Sequence, residues 1–582
     1  MDNVIKQIEQ NNWEDALQAF IMYCETNTMD DTSYIVGATL MEHFGERDSL
    51  FKYISEGLKF NPSNYELYML LGNYYRFVNP DQAYLSYENA LFHSINTVGN
   101  DNEDTCFIRQ TLTDFREENT INVRNVSFVI LSYNELEHTK KCINSIRKTC
   151  FKDIIEIIVI DNASTDGSIE WLREQSDIRL VENKENAGFP KASNQGISAS
   201  DPLNDILLLY NDTIMMSSSL FWLRMGLYEN DSIGAAGAVS NEVSKEQAVQ
   251  TTCSSIEEFE QFAISNNIPC SNPYESKMYL VMFAMLIKRS CVDKTGLLDE
   301  LFTPGNFEDN DYGVRLNQNG YKCVICHNAF IYHVGKASFG KDPIRYVNLY
   351  QTNYNKFRDK WGFSSDEYSN PRNDIVDLIE NNVDAKFSVL EIGCGFGETL
   401  TKIRYRYPNS IVKGIELNKT IADIASKRLD VLCGDIEEYD PDGKYDYIIL
   451  ADVLDYLNNP TNVLTKLHDN LTENGSILVC VSNALYAERV YDMLTGNIPF
   501  IENIPEGMQQ VHHFTPNSLK TLVEKSGYTI SDLYYKWLPE NFIDEHKVFF
   551  DEILKTDGVL PKDVFEIYQF LLRLTTTHRQ GN

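Results

Sequence analysis

Carboxylates, glycines and histidines occur in this chain at spacings that suit two kinds of chemistry. Tyr210-Asn211-Asp212 closes the apolar run 206–210. An aspartate there offers the hard oxygen ligands that divalent cations such as Mg²⁺ and Mn²⁺ prefer. Glu308, Asp309 and Asp311 crowd together ahead of Arg315. An acid so placed can take a proton from an attacking hydroxyl. His333 adds an imidazole able to ligate a metal. Further on, Glu391-Ile-Gly393-Cys-Gly395-Phe-Gly397 puts glycines where a backbone must approach a cofactor closely. Glu416 ends the next apolar run, within reach of two ribose hydroxyls. His512 and His513 are candidate bases, and each equally suits a structural hydrogen bond.

Elements must hold these groups, and the sequence pattern describes an α/β multidomain chain with three segments: 1–120, 125–365 and 370–582. The first lacks strand alternation. Trp13, Ala16, Leu17 and Phe20 form one apolar stripe at helical spacing, and Leu67, Leu71, Gly72, Tyr75, then Ala83, Tyr87, Ala90 and Leu91 continue it after Asn61-Pro62. The step from Ala16 to Ala83 is close to two periods of about 34 residues. The stretch NPSNYELYMLLGNYYRFVNPDQAYLSYENAL resembles a tetratricopeptide repeat. Two roles stay open for this α-helical repeat: contacting a peptide or protein, or capping the next segment. In the second segment, runs 126–131, 154–160, 178–182 and 206–210 read as strands and 137–148 as a helix. That alternation predicts a mainly parallel sheet with ligands beyond the carboxyl ends of its strands. The third segment restarts after the turn-rich Asn370-Pro371-Arg372-Asn373, with a strand from Phe387; its last 45 or so residues read as helical.

Residues 126–362 are similar to glycosyltransferase family 2, which has the GT-A fold. VSFVILSYNELEHTKKCINSI resembles the opening strand, loop and helix, IIVIDNASTDGS the second strand with its loop, and NAGFPKASNQGI the element that follows. The resemblance places Ser132, Asn134 and Glu135 beside the nucleotide, gives Asp161 its base or ribose, and gives Asn194 nucleotide or sugar. LLLYNDT stands where the family carries a D-x-D-like motif. Only the last acid is present, as in many rhamnosyltransferase-like members, which implies Asn211 and Asp212 on the donor side and Asp212 on Mn²⁺ or Mg²⁺. GNFEDNDYGVRL resembles the E-D-x-D block, implying Asp309 as base of an inverting displacement, with Glu308 and Asp311 on the acceptor side. YHVGKASF resembles the H-x-x-G-x-S element, implying His333 on metal or diphosphate, and FRDKWG ends the family's closing helix.

The later segment resembles the class I methyltransferases, with a Rossmann-like fold and S-adenosyl-L-methionine as cofactor. Glu391, Gly393, Gly395 and Gly397 are the implied cofactor loop, Glu416 the ribose ligand and Asp435, in Gly434-Asp435-Ile436, the acid near the adenine amine. YDYIILADVLDYLNNP and Gly475-Ser476-Ile477-Leu478 resemble the fourth and fifth strands. VSNALYAERVYDMLTGNIPF and HHFTPNSLKTLVEKSGY resemble the ubiquinone-biosynthesis and sugar methyltransferase subfamily. Members often carry histidine where this chain has Tyr486, so the catalytic group rests with His512, His513 or alignment alone.

Bulk composition narrows the partners. A net charge of -34 and a pI near 4.7 argue against nucleic acid and anionic membranes. The first residues lack a signal-peptide layout and no apolar run reaches transmembrane length, so a cytoplasmic protein with reduced thiols is expected. Cys323-Val-Ile-Cys326-His327 matches a haem-attachment signature but alternates as a core strand does. The expected partners are a nucleotide-diphosphate sugar and a glycan or protein acceptor, with a further protein contact through the N-terminal helices. The leading expectation is a bifunctional enzyme that extends and methylates one glycan, in bacterial surface-glycan or flagellin glycosylation. The alternative is a protein O-glycosyltransferase whose repeat grips its polypeptide and whose degenerate methyltransferase domain serves as a binding module.

Overall fold

In the computed structural model the chain forms two compact units, Met1–Ser364 and Ser365–Asn582. The structure describes residues 1–335, 343–497, 510–537, 542–556, 558 and 560–576. Among the described residues, no helix is long and apolar enough to cross a membrane.

The first unit begins with seven helices: α1 (Asp2–Glu9), α2 (Trp13–Thr26), α3 (Asp31–Phe44), α4 (Arg47–Phe60), α5 (Tyr65–Tyr75), α6 (Pro80–Thr97) and α7 (Glu103–Glu118). Local chemistry sets the limits of the pair that resembles a repeat. Asn64 and Asn79 accept the free N–H groups at the starts of α5 and α6, and Pro80 supplies a ready-made first-turn φ. Gly72 makes their crossing close, since a methyl group there would lie 2.2 Å from the Tyr87 ring.

These helices share one hydrophobic core with the following sheet, from Leu67, Leu71 and Tyr87 to Phe128 and Trp222. Polar links reinforce the seam. Tyr68 and Ser218 share a hydroxyl–hydroxyl bond of 3.1 Å, Gln82 Nε2 donates to the Met225 carbonyl at 2.9 Å, and Glu88 pairs with Arg224 in the interior. Of the two roles open to this segment, capping matches the observed packing of α5 and α6.

The sheet that follows contains β1 (Val126–Ser132), β2 (Ile155–Asp161), β3 (Ile178–Glu182) and β4 (Asp205–Tyr210), with a short β5 (Thr213–Ile214) just beyond. Next come β6 (Ile233–Val239), β7 (Tyr274–Lys277), β8 (Ala284–Ile287), β9 (Lys322–Phe330) and β10 (Tyr332–His333). The main sheet runs β3-β2-β1-β4-β8-β6-β9-β7, while β5 and β10 form a small antiparallel pair. β1 lies parallel to both β2 and β4, so the ends of these strands open on one edge. On β9, Cys323 packs with Ile325 in one apolar layer and Cys326 with Val324 in another, the arrangement of a core strand.

The second unit has β11 (Ser388–Ile392), β12 (Ile411–Glu416), β13 (Val431–Cys433), β14 (Tyr445–Ala451), β15 (Leu471–Ser482), β16 (Tyr528–Trp537) and β17 (Ile567–Thr576). Their order is β13-β12-β11-β14-β15-β17-β16, with β17 antiparallel to both neighbours. The helical reading of the C-terminal 45 or so residues holds for Phe542–Glu545, Lys547–Leu554 and Lys562–Glu566, and is corrected for Ile567–Thr576, a strand inserted within the sheet. Leu572 and Leu574 face one core and Leu571 the other. A strand buried on both faces is apolar at consecutive positions, and that pattern does not separate strand from helix.

Two candidate active sites

In the first unit, the register of β1 with β2 sets Ser132 beside Asp161. Asn134 and Glu135 then turn the chain with φ of 58° and 59°. The Asn134 N–H donates to Ser164 Oγ at 2.7 Å, and the Thr165 N–H to Asn134 Oδ1 at 2.9 Å. Both Asp161 oxygens accept from Ser164, from its N–H at 2.8 Å and its hydroxyl at 2.6 Å. The expected nucleotide-side residues thus form interlocked turns, with the Asp161 carboxylate organising the loop. Ser132 Oγ is buried without a hydrogen-bond partner.

Asp212 leaves the end of β4 and enters β5, whose pairing puts Thr213 opposite His333. His333 Nε2 lies 3.2 Å from Asp212 Oδ1, while its Nδ1 bonds to the Glu242 carbonyl. Burial works against the charged imidazole, but Asp212 and then Glu242 outweigh it and raise its pKa above the ordinary value. Asn211 Nδ2 donates to Thr139 Oγ1 at 3.0 Å. Among the described residues no cluster of three or more metal-type side chains exists. A carboxylate oxygen and an imidazole nitrogen side by side suit a cation whose other ligands are substrate oxygens and water.

Tyr210 stands where a first acid was absent. Its ring lies edge-on to Phe189 and to His333, at 5.4 and 5.9 Å. Burial holds its phenol protonated well above the usual range, reinforced by the charges of Glu308, Asp309 and Asp212. Asn306 and Phe307 take left-handed φ of 73° and 72° and aim the start of the helix Glu308–Gln318. Glu308 is 5% exposed, with Oε2 lacking a hydrogen-bond partner; burial and then Asp309 push its carboxyl up to about 8. Gly188, at φ 76°, comes so close to the 303–305 turn that a methyl group would lie 2.7 Å from Pro304 Cα.

Two expected site residues are hydrogen-bonded within the fold. Asp311 is fully buried and accepts from Arg315 Nε at 2.8 Å, from Trp361 Nε1 at 3.0 Å and from Lys360. It fastens the closing helix Pro343–Trp361 rather than facing an acceptor. Asn194 exchanges hydrogen bonds of 2.9 Å with both backbone groups of Leu298. Its amide is spent on that loop, not on a nucleotide. Residues 336–342, the end of the expected H-x-x-G-x-S element, lie outside the described residues.

In the second unit, Gly393, Gly395 and Gly397 adopt φ of 69°, 54° and 79°, and the loop wraps the end of β11. Glu416 at the end of β12 accepts from the Gly395 N–H at 2.9 Å and the Asn418 N–H at 2.8 Å. Its burial raises its pKa. Glu391 is 3% exposed with Oε2 unpartnered, and burial pushes it up to about 8, against the opposing pull of Thr399 and Arg372. Asp435 Oδ1 accepts from the Glu437 N–H at 2.8 Å.

Of the two histidines, His513 is exposed, whereas His512 is half-buried and its Nε2 lacks a partner. The His512 N–H donates to the Asp455 carbonyl at 2.9 Å. Asp455, absent from the sequence reading, follows β14, and burial raises its carboxyl to about 6. Tyr368 was also missed. A methyl group on Gly395 would lie 3.0 Å from its carbonyl oxygen, and its phenol is raised by burial and then by Glu416. No motif signals Tyr368, because it precedes the glycine loop and reaches it only through folding.

These two sites and the sheets beneath them define a pair of transferase domains: a GT-A-like α/β layer and a Rossmann-like methyltransferase layer. A model of "Glycosyl transferase family 2" matches residues 127–210, and one of "Methyltransferase domain" matches 361–533. The chain carries a glycosyltransferase family 2 domain and a methyltransferase domain, and it is an enzyme of the transferase class. The malonyl-[acyl-carrier protein] O-methyltransferase of Priestia megaterium is 29% identical over 109 residues, 18% of this chain and 40% of that one. The chain spans less than half the length of curated relatives such as this. Among solved structures, GalNAc-T7 with UDP, GalNAc and Mn²⁺ aligns with 42% of this chain and 49% of its own, at 16% identity and TM-score 0.33. A SAM-dependent methyltransferase from Archaeoglobus fulgidus aligns with 38% of this chain and 98% of its own, at 16% identity and TM-score 0.26.

Proposed function

We propose that the first unit transfers a sugar, with inversion, from a nucleotide-diphosphate donor, and that the second methylates the same glycan from S-adenosyl-L-methionine. The setting we assign is bacterial surface-glycan or flagellin glycosylation. The observation that carries this reading is the Asp212–His333 pair at 3.2 Å just beyond the end of β4.

Asp212 and His333 are the residues that would hold Mn²⁺ or Mg²⁺, which when bound supplies positive charge to the leaving diphosphate. Asp309 takes the proton of the acceptor hydroxyl as its oxygen attacks the anomeric carbon and the bond to the diphosphate breaks. Glu308, protonated at neutral pH by its burial, is a hydrogen-bond donor beside that base. In the second unit Glu416 receives the ribose hydroxyls and Asp435 the adenine amine. His512, anchored by Asp455, is the candidate base, and its free buried Nε2 supports it over His513.

The test is to incubate the purified chain with UDP-, GDP- and dTDP-sugars and Mn²⁺, alone and with S-adenosyl-L-methionine, and to measure free nucleotide and S-adenosylhomocysteine. Hydrolysis of at least one donor and measurable cofactor binding are expected. A chain that hydrolyses none of the donors sinks the first half of the reading.

A further inference from the structure

Asn241 and Glu242 lie just beyond the end of β6. Their loop is closed at its base, where the Ser240 N–H donates to the Gln247 carbonyl at 3.0 Å and the Val249 N–H to the Ser240 carbonyl at 2.9 Å. From this base the Asn241 side chain reaches β10. Its Nδ2 donates to the His333 carbonyl at 2.9 Å, and its Oδ1 accepts from the His333 N–H at 3.0 Å. The Ser240 hydroxyl donates to the same Oδ1 at 3.2 Å. One amide thus pairs with both backbone groups of His333, as a neighbouring strand residue would. Asparagine suits this because one end of its amide donates and the other accepts. β5 holds β10 as well, with the Val334 N–H donating to the Asp212 carbonyl at 3.0 Å.

The imidazole itself is also fixed. Its Nδ1 meets the Glu242 carbonyl. Phe283 stacks on the ring at 5.6 Å and 20°, and Tyr210 stands edge-on to it. Gly335 lets Glu242 lie this close: its φ is 69°, and a methyl group there would fall 2.1 Å from Glu242 Cγ. A carbonyl oxygen has no proton to give, so Nδ1 carries the hydrogen. In a neutral imidazole the lone pair then belongs to Nε2, the atom 3.2 Å from Asp212 Oδ1. A ring free to turn or to exchange tautomers would present that lone pair only part of the time.

We propose that Asn241 and the Glu242 carbonyl are positioning groups for the cation. They hold His333 in the one orientation and the one tautomer in which Nε2 can share a metal ion with Asp212. Partners of this kind around a ligating histidine change metal affinity by about 10–100-fold. The proposal rests on the reading of Asp212 and His333 as the residues that hold the cation. A mere brace of the loop would leave the ring's tautomer alone.

The experiment uses the full chain labelled with ¹⁵N-histidine, and the probe is Mn²⁺ alone. NMR of the metal-free chain at alkaline pH, where the ring is neutral, reads the tautomer; the His333 signals are those that vanish in His333→Gln. Free Mn²⁺, counted by electron paramagnetic resonance, gives the metal affinity. The native chain is expected to carry hydrogen on Nδ1 alone. Asn241→Ala is expected to show both tautomers and to bind Mn²⁺ about 10–100-fold more weakly, with a thermal melt close to the native one. If that variant does not fold, Asn241→Asp, which keeps the acceptor end and loses the donor, takes its place. Hydrogen on Nε2 in the native chain overturns the proposal without any variant. Native Mn²⁺ affinity in the folded variant overturns it equally, and so does weaker affinity with an unaltered tautomer, which would mark Asn241 as a brace only. Failure of the metal reading shows separately: Mn²⁺ affinity indifferent to Asp212→Ala and His333→Gln removes that reading, and the proposal with it, whatever the Asn241 variants do.

Discussion

The two candidate sites are built on opposite plans. The cofactor loop of the methyltransferase site is contiguous: Glu391, the three glycines and Glu416 belong to one strand–turn–helix–strand stretch, and Glu416 itself clasps the turn through the Gly395 N–H. The glycosyltransferase site is assembled at long range. Asp212 meets His333 because β5 pairs with β10, and two left-handed residues, Asn306 and Phe307, set the start of the helix that carries Glu308 and Asp309. A contiguous site is vulnerable to local changes in backbone space. An assembled site depends on single polar contacts between distant segments. Both plans hold a buried glutamate near pKa 8, Glu308 and Glu391, but Asp309 raises the first further while Arg372 opposes the shift of the second.

The strongest way to break this comparison is Asp212→Ala. It should lower sugar transfer by about 10³-fold or more, with loss of metal-dependent nucleotide binding, because the cation loses its carboxylate. S-adenosyl-L-methionine binding, read by calorimetry, should be unchanged. Full transfer in excess chelator would remove the metal assignment.

Asp309→Asn is almost isosteric yet cannot accept the proton. Turnover should fall by about 10²–10⁴ while donor affinity holds. A product that keeps the donor's anomeric configuration would contradict the single displacement.

In the contiguous site, Glu416→Ala should weaken cofactor binding by about 10–100-fold, the worth of hydrogen bonds to a charged group. Gly395→Val should abolish it, since φ is 54° there and Tyr368 O already lies 3.0 Å from an added methyl. Sugar transfer should survive both changes, and its loss would show that the two plans are not independent.

Glu88→Ala tests the helical cap. It strands Arg224, which is 2% exposed, and should destabilise the first unit by about 3–5 kcal/mol in chemical denaturation. A neutral effect would mean that the helices contribute little to that core.

The smallest effect concerns pH. Glu308 has a folded pKa near 8, above its unfolded value. Below the unfolded pKa both states hold the proton. As pH rises toward 8 the unfolded chain releases it while the folded chain does not, so this group progressively disfavours the native state. Glu308→Gln should therefore raise the first unit's Tm by on the order of a few degrees at pH 8 and leave it unchanged near pH 4. Equal melting shifts at both pH values would refute this.

Much of this arrangement was legible in the residues. Apolar runs ending in Asp161, Asp212 and Glu416 located strands and their ligand-bearing ends, because a short apolar run bounded by turn residues reads as a buried strand and a glycine turn states its φ requirement locally. Other features were decided by contacts between residues far apart in the chain. Asn194 and Asp311 read as ligands because they are polar residues in the right motif; only the folded chain shows their atoms spent on Leu298, Arg315, Trp361 and Lys360. β17 read as helix because a strand covered on both faces loses its alternation. Tyr368 and Asp455 carried no signal, since their surroundings come from distant segments. The sequence by itself determined the two sheets, the glycine loop and the identity of the acids. The tertiary structure decided which acids remain unpaired and that α5 and α6 close over the sheet, because burial and hydrogen-bond partners are properties of the packed chain and not of a motif.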